Sequence, residues 1–376
     1  MAMTDKEMEP FRVDVPDEAR ADLRDRLGRT RWTPGPEPAE TDYGMPVAVV
    51  QPLAEYWRDG YDWRAQEARL NAYPQFTTAI DGSRVHFLHV RSPEPDPLPL
   101  VLSHGWPGSV AEYLEVLGPL SDPRAHGLDP SLAFDLVVPS LPGSGFSGPT
   151  ADSGWGPRRI ARAWAVLMRR LGYHRYGAAG NDWGSFIAPE LGRIAPDAVI
   201  GVHVTQAWVP PPDDPDLIAS LSAEDRAALD AFVDYQQHHA AYGTVQGQAP
   251  QTLAHALTDS PAGLLGWNAQ AMQPYGLDDD AILTHVSIHW FTGTAGTALR
   301  IYADAAREEP ATGPTTVPTG VAQFPGDLAS VRAFAERAHG NIVSWNRYPR
   351  GGHYAAHTDP GLVVQDLREF FASVRS

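Results

Sequence analysis

The stretch Gly180-Asn181-Asp182-Trp183-Gly184 decides how this chain is read. Before it, Leu171 to Ala179 predicts a short apolar strand. After it, Ser185 to Ile194 predicts a helix, with Trp183, Phe186, Ile187 and Leu191 at spaced positions. A strand, a tight turn with glycine on both sides and then a helix is the setting of a nucleophile elbow. The middle residue of such a turn is held on strained backbone, and the glycines let strand and helix approach. Its usual occupant is serine; here it is Asp182. A serine oxygen suits acyl transfer, whereas a carboxylate ionised at neutral pH suits displacement at a saturated carbon. The product is an alkyl ester of Asp182, which water must then cleave. An ordinary Asp-capped turn has the same local pattern, so the rest of the chain must choose.

Strand and helix patterns alternate on both sides of the elbow, which predicts an α/β fold with a mostly parallel sheet. Phe76 to Ile80 and Val85 to Val90 are alternating runs across Asp81-Gly82, a hairpin signal. Leu98 to Leu102 reads as a buried strand and leads into Ser103-His104-Gly105-Trp106-Pro107-Gly108-Ser109, then a helix through Tyr113 to Leu120. Phe134 to Val138 is the next strand, Arg159 to Leu171 a helix, and Val199 to Val204 a strand. Pro210-Pro211-Pro212 breaks the rhythm, and from there to about Arg307 the pattern is helical. The alternation resumes with Thr316 to Gln323 and Asn341 to Trp345. A loop carrying Arg350-Gly351-Gly352-His353 follows, and Leu362 to Val374 closes the chain as a helix. Ahead of all this, Phe11 to Trp32 and Val47 to Arg69 are helical and rich in tryptophan and tyrosine, with an irregular Pro34 to Tyr43 strap between. So many aromatics need something to bury against, so this segment is expected to wrap a larger body. The expected division is 1–73 wrapping segment, 74–209 first part of the core, 210–307 helical cap, and 308–376 second part of the core.

Composition narrows the chemistry. A formal charge of −17 over 376 residues argues against nucleic acid or an anionic membrane as partner. With no cysteine there is no thiol catalysis, disulfide or thiolate metal site, which fits a reducing cytoplasm. No apolar run approaches the ~20 residues that span a bilayer. Lys6 is the sole lysine against many arginines, a bias expected of a GC-rich bacterial source.

A carboxylate nucleophile needs donors for the oxyanion of ester hydrolysis and a base to activate water. The N–H groups of Trp106 and Trp183 are candidates for the oxyanion hole. His353, after the last strand, is where this architecture puts its base; His104 precedes the nucleophile and reads as a structural hydrogen-bonder. His357 makes an i, i+4 pair with His353, but no third ligand is spaced to match, so no metal is expected. The orienting acid belongs after the penultimate strand, where Asp327 stands. Asp213 or Asp214, after an earlier strand, is the rival.

Together, His104-Gly105-Trp106-Pro107-Gly108, Asn181-Asp182-Trp183-Gly184, Pro318-Thr319-Gly320 with Phe324-Pro325-Gly326-Asp327, and Arg350-Gly351-Gly352-His353 resemble the microsomal-type epoxide hydrolases. Pro10-Phe11-Arg12-Val13 to Trp32 resembles their N-terminal domain. The resemblance spans nearly the whole chain. It implies an α/β-hydrolase fold, with an eight-stranded sheet and a helical cap, no cofactor, and an Asp182, His353 and Asp327 triad. It also implies two cap tyrosines holding the epoxide oxygen: by local match Tyr242, ahead of Asp259-Ser260-Pro261, and Tyr302, with Tyr235 as competitor for the first role. A phenol with a pKa of about 10 can donate to the opening ring while staying neutral at pH 7. The sequence departs from the family at Asn181, where many members have glycine, a change expected to touch only the turn. It departs again at Asp327, shorter than the Glu of the mammalian enzymes, and in having no N-terminal anchor helix, so a soluble protein is expected. The expected partners are water and a bulky apolar or aryl epoxide, which eleven tryptophans suit. The setting is detoxification or the biosynthesis of intermediates such as those of enediyne antibiotics. A haloalkane dehalogenase also uses Asp followed by Trp on this elbow but needs halide-binding N–H groups rather than phenols. A non-catalytic binding protein on the same fold is the remaining alternative.

Overall fold

The period-two alternation of aliphatic residues builds one sheet with two buried faces. Leu100, Leu102, Leu136 and Val138 enter one hydrophobic cluster, and their neighbours Val101 and Val137 enter the other. The computed structural model describes residues 8–35 and 43–375. The polar start before Met8, with Lys6, and most of the Pro34 to Tyr43 strap lie outside the described residues.

Among them, nine strands form the sheet: β1 (Glu9–Phe11), β2 (Gln75–Ile80), β3 (Ser83–Val90), β4 (Leu98–Ser103), β5 (Phe134–Pro139), β6 (Tyr176–Gly180), β7 (Val199–Val204), β8 (Thr319–Gln323) and β9 (Ile342–Arg347). Their order is β1-β2-β3-β5-β4-β6-β7-β8-β9. The first three pairings along this order are antiparallel and the rest parallel. The strand beyond the eight expected is β1, whose Glu9 pairs with Thr77 at the sheet edge. The β2–β3 turn places Asp81 at φ 52° and Gly82 at φ 77°, the two positive values that a twisted hairpin turn requires.

Helices α1 (Asp17–Gly28), α2 (Val47–Asp59) and α3 (Trp63–Leu70) precede the hairpin. Next come α4 (Leu114–Ser121) after β4, α5 (Pro157–Arg170) before β6 and α6 (Trp183–Ile194) after it. Helix α5 buries Ile160, Trp164, Leu167 and Met168 on one stripe and leaves its arginines outward. The strand before the elbow is shorter than the sequence suggested. Leu171 caps α5, Gly172 takes φ 86°, and Tyr173 N–H returns to the Met168 carbonyl at 2.9 Å, so β6 starts only at Tyr176.

Between β7 and β8 run α7 (Pro215–Ala219), α8 (Ala223–His238), α9 (Ala241–Gln248), α10 (Pro250–Asp259), α11 (Pro261–Ala269), α12 (Asp279–Phe291) and α13 (Arg300–Ala305). The chain ends with α14 (Arg332–Ala338), α15 (Ala355–Thr358) and α16 (Pro360–Val374). The aromatics of α2, α3 and the link between them find their partners on α12. Trp57 Nε1 donates to Ser287 Oγ at 2.8 Å, Tyr61 and Thr284 hydroxyls lie 2.9 Å apart, and Trp63 packs on Phe291.

Candidate active site

Asp182 joins β6 to α6 at φ 52° and ψ −122°, a backbone that an L-residue holds only when its surroundings impose it. The imposition is visible in the glycines. A Cβ on Gly180 would fall 2.3 Å from the Gly184 carbonyl carbon, and one on Gly184 would fall 1.8 Å from the Ser103 oxygen. Strand β4, strand β6 and helix α6 therefore meet at distances that only glycine permits. The turn pushes the carboxylate toward the loop after β4, where Trp106 N–H donates to Asp182 Oδ1 at 2.7 Å. Burial raises the Asp182 pKa, opposed by the His353 imidazole and by the N–H groups of Trp183 and Trp106.

His353 stands opposite. Its Nε2 lies 3.7 Å from Asp182 Oδ2, and its Nδ1 is 2.9 Å from Asp327 Oδ1. Asp327 orients the ring, because Nδ1–H donates to it and Nε2 is left facing Asp182. Burial alone would lower the His353 pKa, but the charges of Asp327, Asp182 and Glu112 outweigh it and push the value up to about 9. The rival acid does not join this group. Asp214 caps α7 through Leu217 N–H and meets Arg337 at 3.0 Å, while Asp213 is exposed. The residue that does arrive from beyond β7 is Gln206, which the sequence did not flag. Its Nε2 donates to Asp327 Oδ1 at 2.6 Å and lies 3.0 Å from His353 Nδ1.

His104 and His357, the other two histidines weighed, are occupied elsewhere. His104 is fully buried, hydrogen-bonded to the Gly105 carbonyl at 2.9 Å and to Leu141 N–H at 3.2 Å. His357 Nε2 lies 3.0 Å from His285 Nε2, and Ser109 Oγ lies 2.8 Å from His285 Nδ1. Among the described residues no group of three His, Asp or Glu is placed to hold a metal ion.

Tyr242 and Tyr302 both pack on tryptophans beside Asp182. Tyr242 stacks on Trp106 with centroids 5.3 Å apart, and Tyr302 meets Trp106 and Trp183 edge-on at 5.7 and 4.7 Å. Burial and the nearby Asp182 charge push the Tyr302 hydroxyl well above its ordinary pKa, so it stays neutral. The hydroxyl of Tyr235, the competitor for that role, lies 2.7 Å from that of Tyr242.

Asn181 does more than shape the turn, contrary to expectation. Its Nδ2 donates to Glu112 Oε1 at 2.9 Å and to the His353 carbonyl at 2.8 Å, while Oδ1 accepts from Thr205 Oγ1 at 2.6 Å. A glycine could make none of these bonds. Burial pushes the Glu112 carboxyl up to about 7, against the Asn181 hydrogen bond and the His353 charge. A cavity of about 20 Å3, lined by Glu112, Asn181, Thr205 and His353 among others, lies at this network.

Comparison with known proteins agrees with this architecture. Residues 8–113 match the family model for the epoxide hydrolase N terminus, and residues 99–281 match that for the alpha/beta hydrolase fold. Epoxide hydrolase 1 of Sus scrofa is 31% identical, over 98% of this chain and 89% of that protein. Juvenile hormone epoxide hydrolase 2 of Ctenocephalides felis is 31% identical, over 96% of this chain and 85% of the other. The solved structure of Aspergillus niger epoxide hydrolase superposes with a TM-score of 0.87 at 32% identity, covering 99% of this chain and 98% of that one. Among the described residues no helix is long and apolar enough to cross a membrane.

Proposed function

The chain belongs to the epoxide hydrolase family, and from that premise we propose that it converts a bulky apolar or aryl epoxide to a vicinal diol through an ester on Asp182. The observation that carries the reading is the double use of two tryptophans. Trp106 and Trp183 give their N–H groups to the Asp182 carboxylate and their rings to Tyr302, and Trp106 also stacks on Tyr242. Nucleophile and phenols are thus tied to the same two tryptophans, which supports their acting on one substrate.

An Asp182 oxygen attacks an epoxide carbon as the ring C–O bond breaks, and the released oxygen takes a proton from a cap phenol. Without that proton the leaving group is a strongly basic alkoxide. His353, oriented by Asp327, then removes a proton from water, and the hydroxide adds to the ester carbonyl carbon. The Trp106 and Trp183 N–H groups hold the oxyanion. Collapse expels the diol oxygen, which takes its proton from His353. The partly buried Trp183, Phe186 and Trp208, in a run of ring contacts at 5.4 and 5.8 Å, support an apolar substrate.

The test is one turnover of styrene oxide in heavy-oxygen water with enzyme in excess. The diol should carry no label, because its new oxygen comes from Asp182. Label in the first-turnover diol means direct attack by water and removes the ester route.

A further inference from the structure

Tyr235 stands in the last turn of α8 and Tyr242 near the start of α9, with their hydroxyl oxygens 2.7 Å apart. The turn between them is tied to Tyr235 itself, whose carbonyl accepts His239 N–H at 2.8 Å and Ala240 N–H at 3.0 Å. The phenol pair is thus fixed by the same short segment that joins the two helices. Resting on the reading of Tyr242 as a donor to the epoxide oxygen, we propose that Tyr235 is a positioning residue. It orients the Tyr242 hydroxyl and donates to its oxygen as the proton leaves.

Each hydroxyl has one proton. When Tyr242 donates to Tyr235, that proton is not available to substrate. When Tyr235 donates, the Tyr242 proton is free to point at the epoxide oxygen, and the oxygen it leaves behind keeps a donor. Burial pushes the Tyr242 hydroxyl well above its ordinary value, with Tyr302, Tyr235 and Asp182 nearby adding to the effect. The hydrogen bond from Tyr242 to Tyr235 makes Tyr242 a poorer acid, whereas the reverse bond, from Tyr235 to Tyr242, strengthens as charge develops on the Tyr242 oxygen and counters this.

The balance closes. Asp182 forms a C–O bond, the ring C–O pair goes to the epoxide oxygen, and that oxygen takes the Tyr242 proton. Hydrolysis releases Asp182 as a carboxylic acid. Its proton, passed through solvent, restores Tyr242.

The experiment uses the full chain carrying His353→Gln, in which the ester should accumulate, with styrene oxide as probe. Ester growth is followed by rapid quench and intact mass in this parent and in parents also carrying Tyr235→Phe, Tyr242→Phe or both. Tyr235→Phe should slow ester formation about tenfold at saturating substrate, with half-saturation unchanged, since a purely transition-state contact moves the maximal rate. The same change should do nothing when Tyr242 is already Phe. The pH profile should also move, the rate reaching its plateau at a different pH without Tyr235. Equal slowing in both backgrounds, a change in half-saturation alone, or no slowing overturns the proposal. If the His353→Gln parent forms no ester at all, the Asp182 reading has failed first, and the inference falls with it.

Discussion

The main-chain N–H of Trp106 reaches Asp182 Oδ1 at 2.7 Å from a loop that has no room for a side chain one residue earlier. A Cβ on Gly105 would fall 1.8 Å from that same oxygen. Gly105→Ala must therefore displace the carboxylate or the N–H that meets it. Diol formation is expected to drop roughly 100-fold, the cost of losing one oxyanion donor. Thermal unfolding should move far less, because a short side chain can swing aside. An alanine variant with native turnover would show that the contact has no part in the reaction.

The charges around His353 set the pH dependence. In the free protein its pKa is pushed up to about 9, so at pH 7 the imidazole is protonated beside the Asp182 carboxyl. That pairing suits attack by the carboxylate. Ester formation removes the Asp182 charge, one of the causes of the rise, so the His353 pKa falls in the intermediate. Ester hydrolysis needs neutral His353 and should therefore speed up as pH rises, with its midpoint below 9. Ester formation needs ionised Asp182 and should fail as pH drops through that group's raised value. Single-turnover decay of the ester from pH 5 to 10 measures the first limb. Hydrolysis that slows over this range as pH rises is incompatible with His353 as base.

Asp327 accepts from three sides: His353 at 2.9 Å, Gln206 at 2.6 Å and Leu328 N–H at 2.7 Å. Asp327→Asn keeps the volume but offers Nδ1 a donor where it needs an acceptor, turning the imidazole to the wrong tautomer. Ester hydrolysis should fall by about 10^3 to 10^4, as comparable changes do in other His–carboxylate pairs. Ester formation should change little, so the adduct on Asp182 should accumulate in intact-mass spectra. Gln206→Leu removes one neutral donor and should slow the same step by only about tenfold. A Gln206 variant that slows ester formation instead would assign it to the nucleophile.

Much of this site was legible because the decisive residues sit in short local patterns. Two glycines flanking Asp182 report a close strand–helix approach, and Gly351-Gly352 before His353 reports a tight loop after the last strand. What the sequence hid are partners that meet only through the sheet. Glu112 and Asn181 are 69 residues apart, and Gln206 and Asp327 are 121 apart. Gln206 lies two residues beyond β7, where a polar side chain among Ala207 and Trp208 was the available signal. The start of β6 was missed for a different reason: Leu171 is apolar in a helix cap as readily as in a strand, and Gly172 was the better marker. The family name arrives from motifs, while the hydrogen bonds of Asn181 come only from packing.

On α16, Asp366 holds three donors that would otherwise be orphaned. Oδ2 meets His203 Nε2 at 2.5 Å, and Oδ1 accepts from Asn346 Nδ2 and Tyr348 hydroxyl, both at 2.5 Å. Its side chain is 1% exposed, so water cannot replace these bonds. Asp366→Ala should cost about 1–3 kcal/mol for each buried donor it leaves unsatisfied, and Asp366→Asn less. Burial raises the Asp366 pKa, but the bonds from His203, Tyr348 and Asn346 outweigh it and hold the group below its ordinary value. A depressed carboxylate stabilises the fold above its unfolded pKa of about 4 and loses that contribution as pH falls through the folded value. The gap in melting temperature between the native chain and Asp366→Asn should therefore be constant from pH 5 to 7 and narrow below pH 4. A gap that stays constant to pH 3 would mean that Asp366 is held by shape rather than by charge.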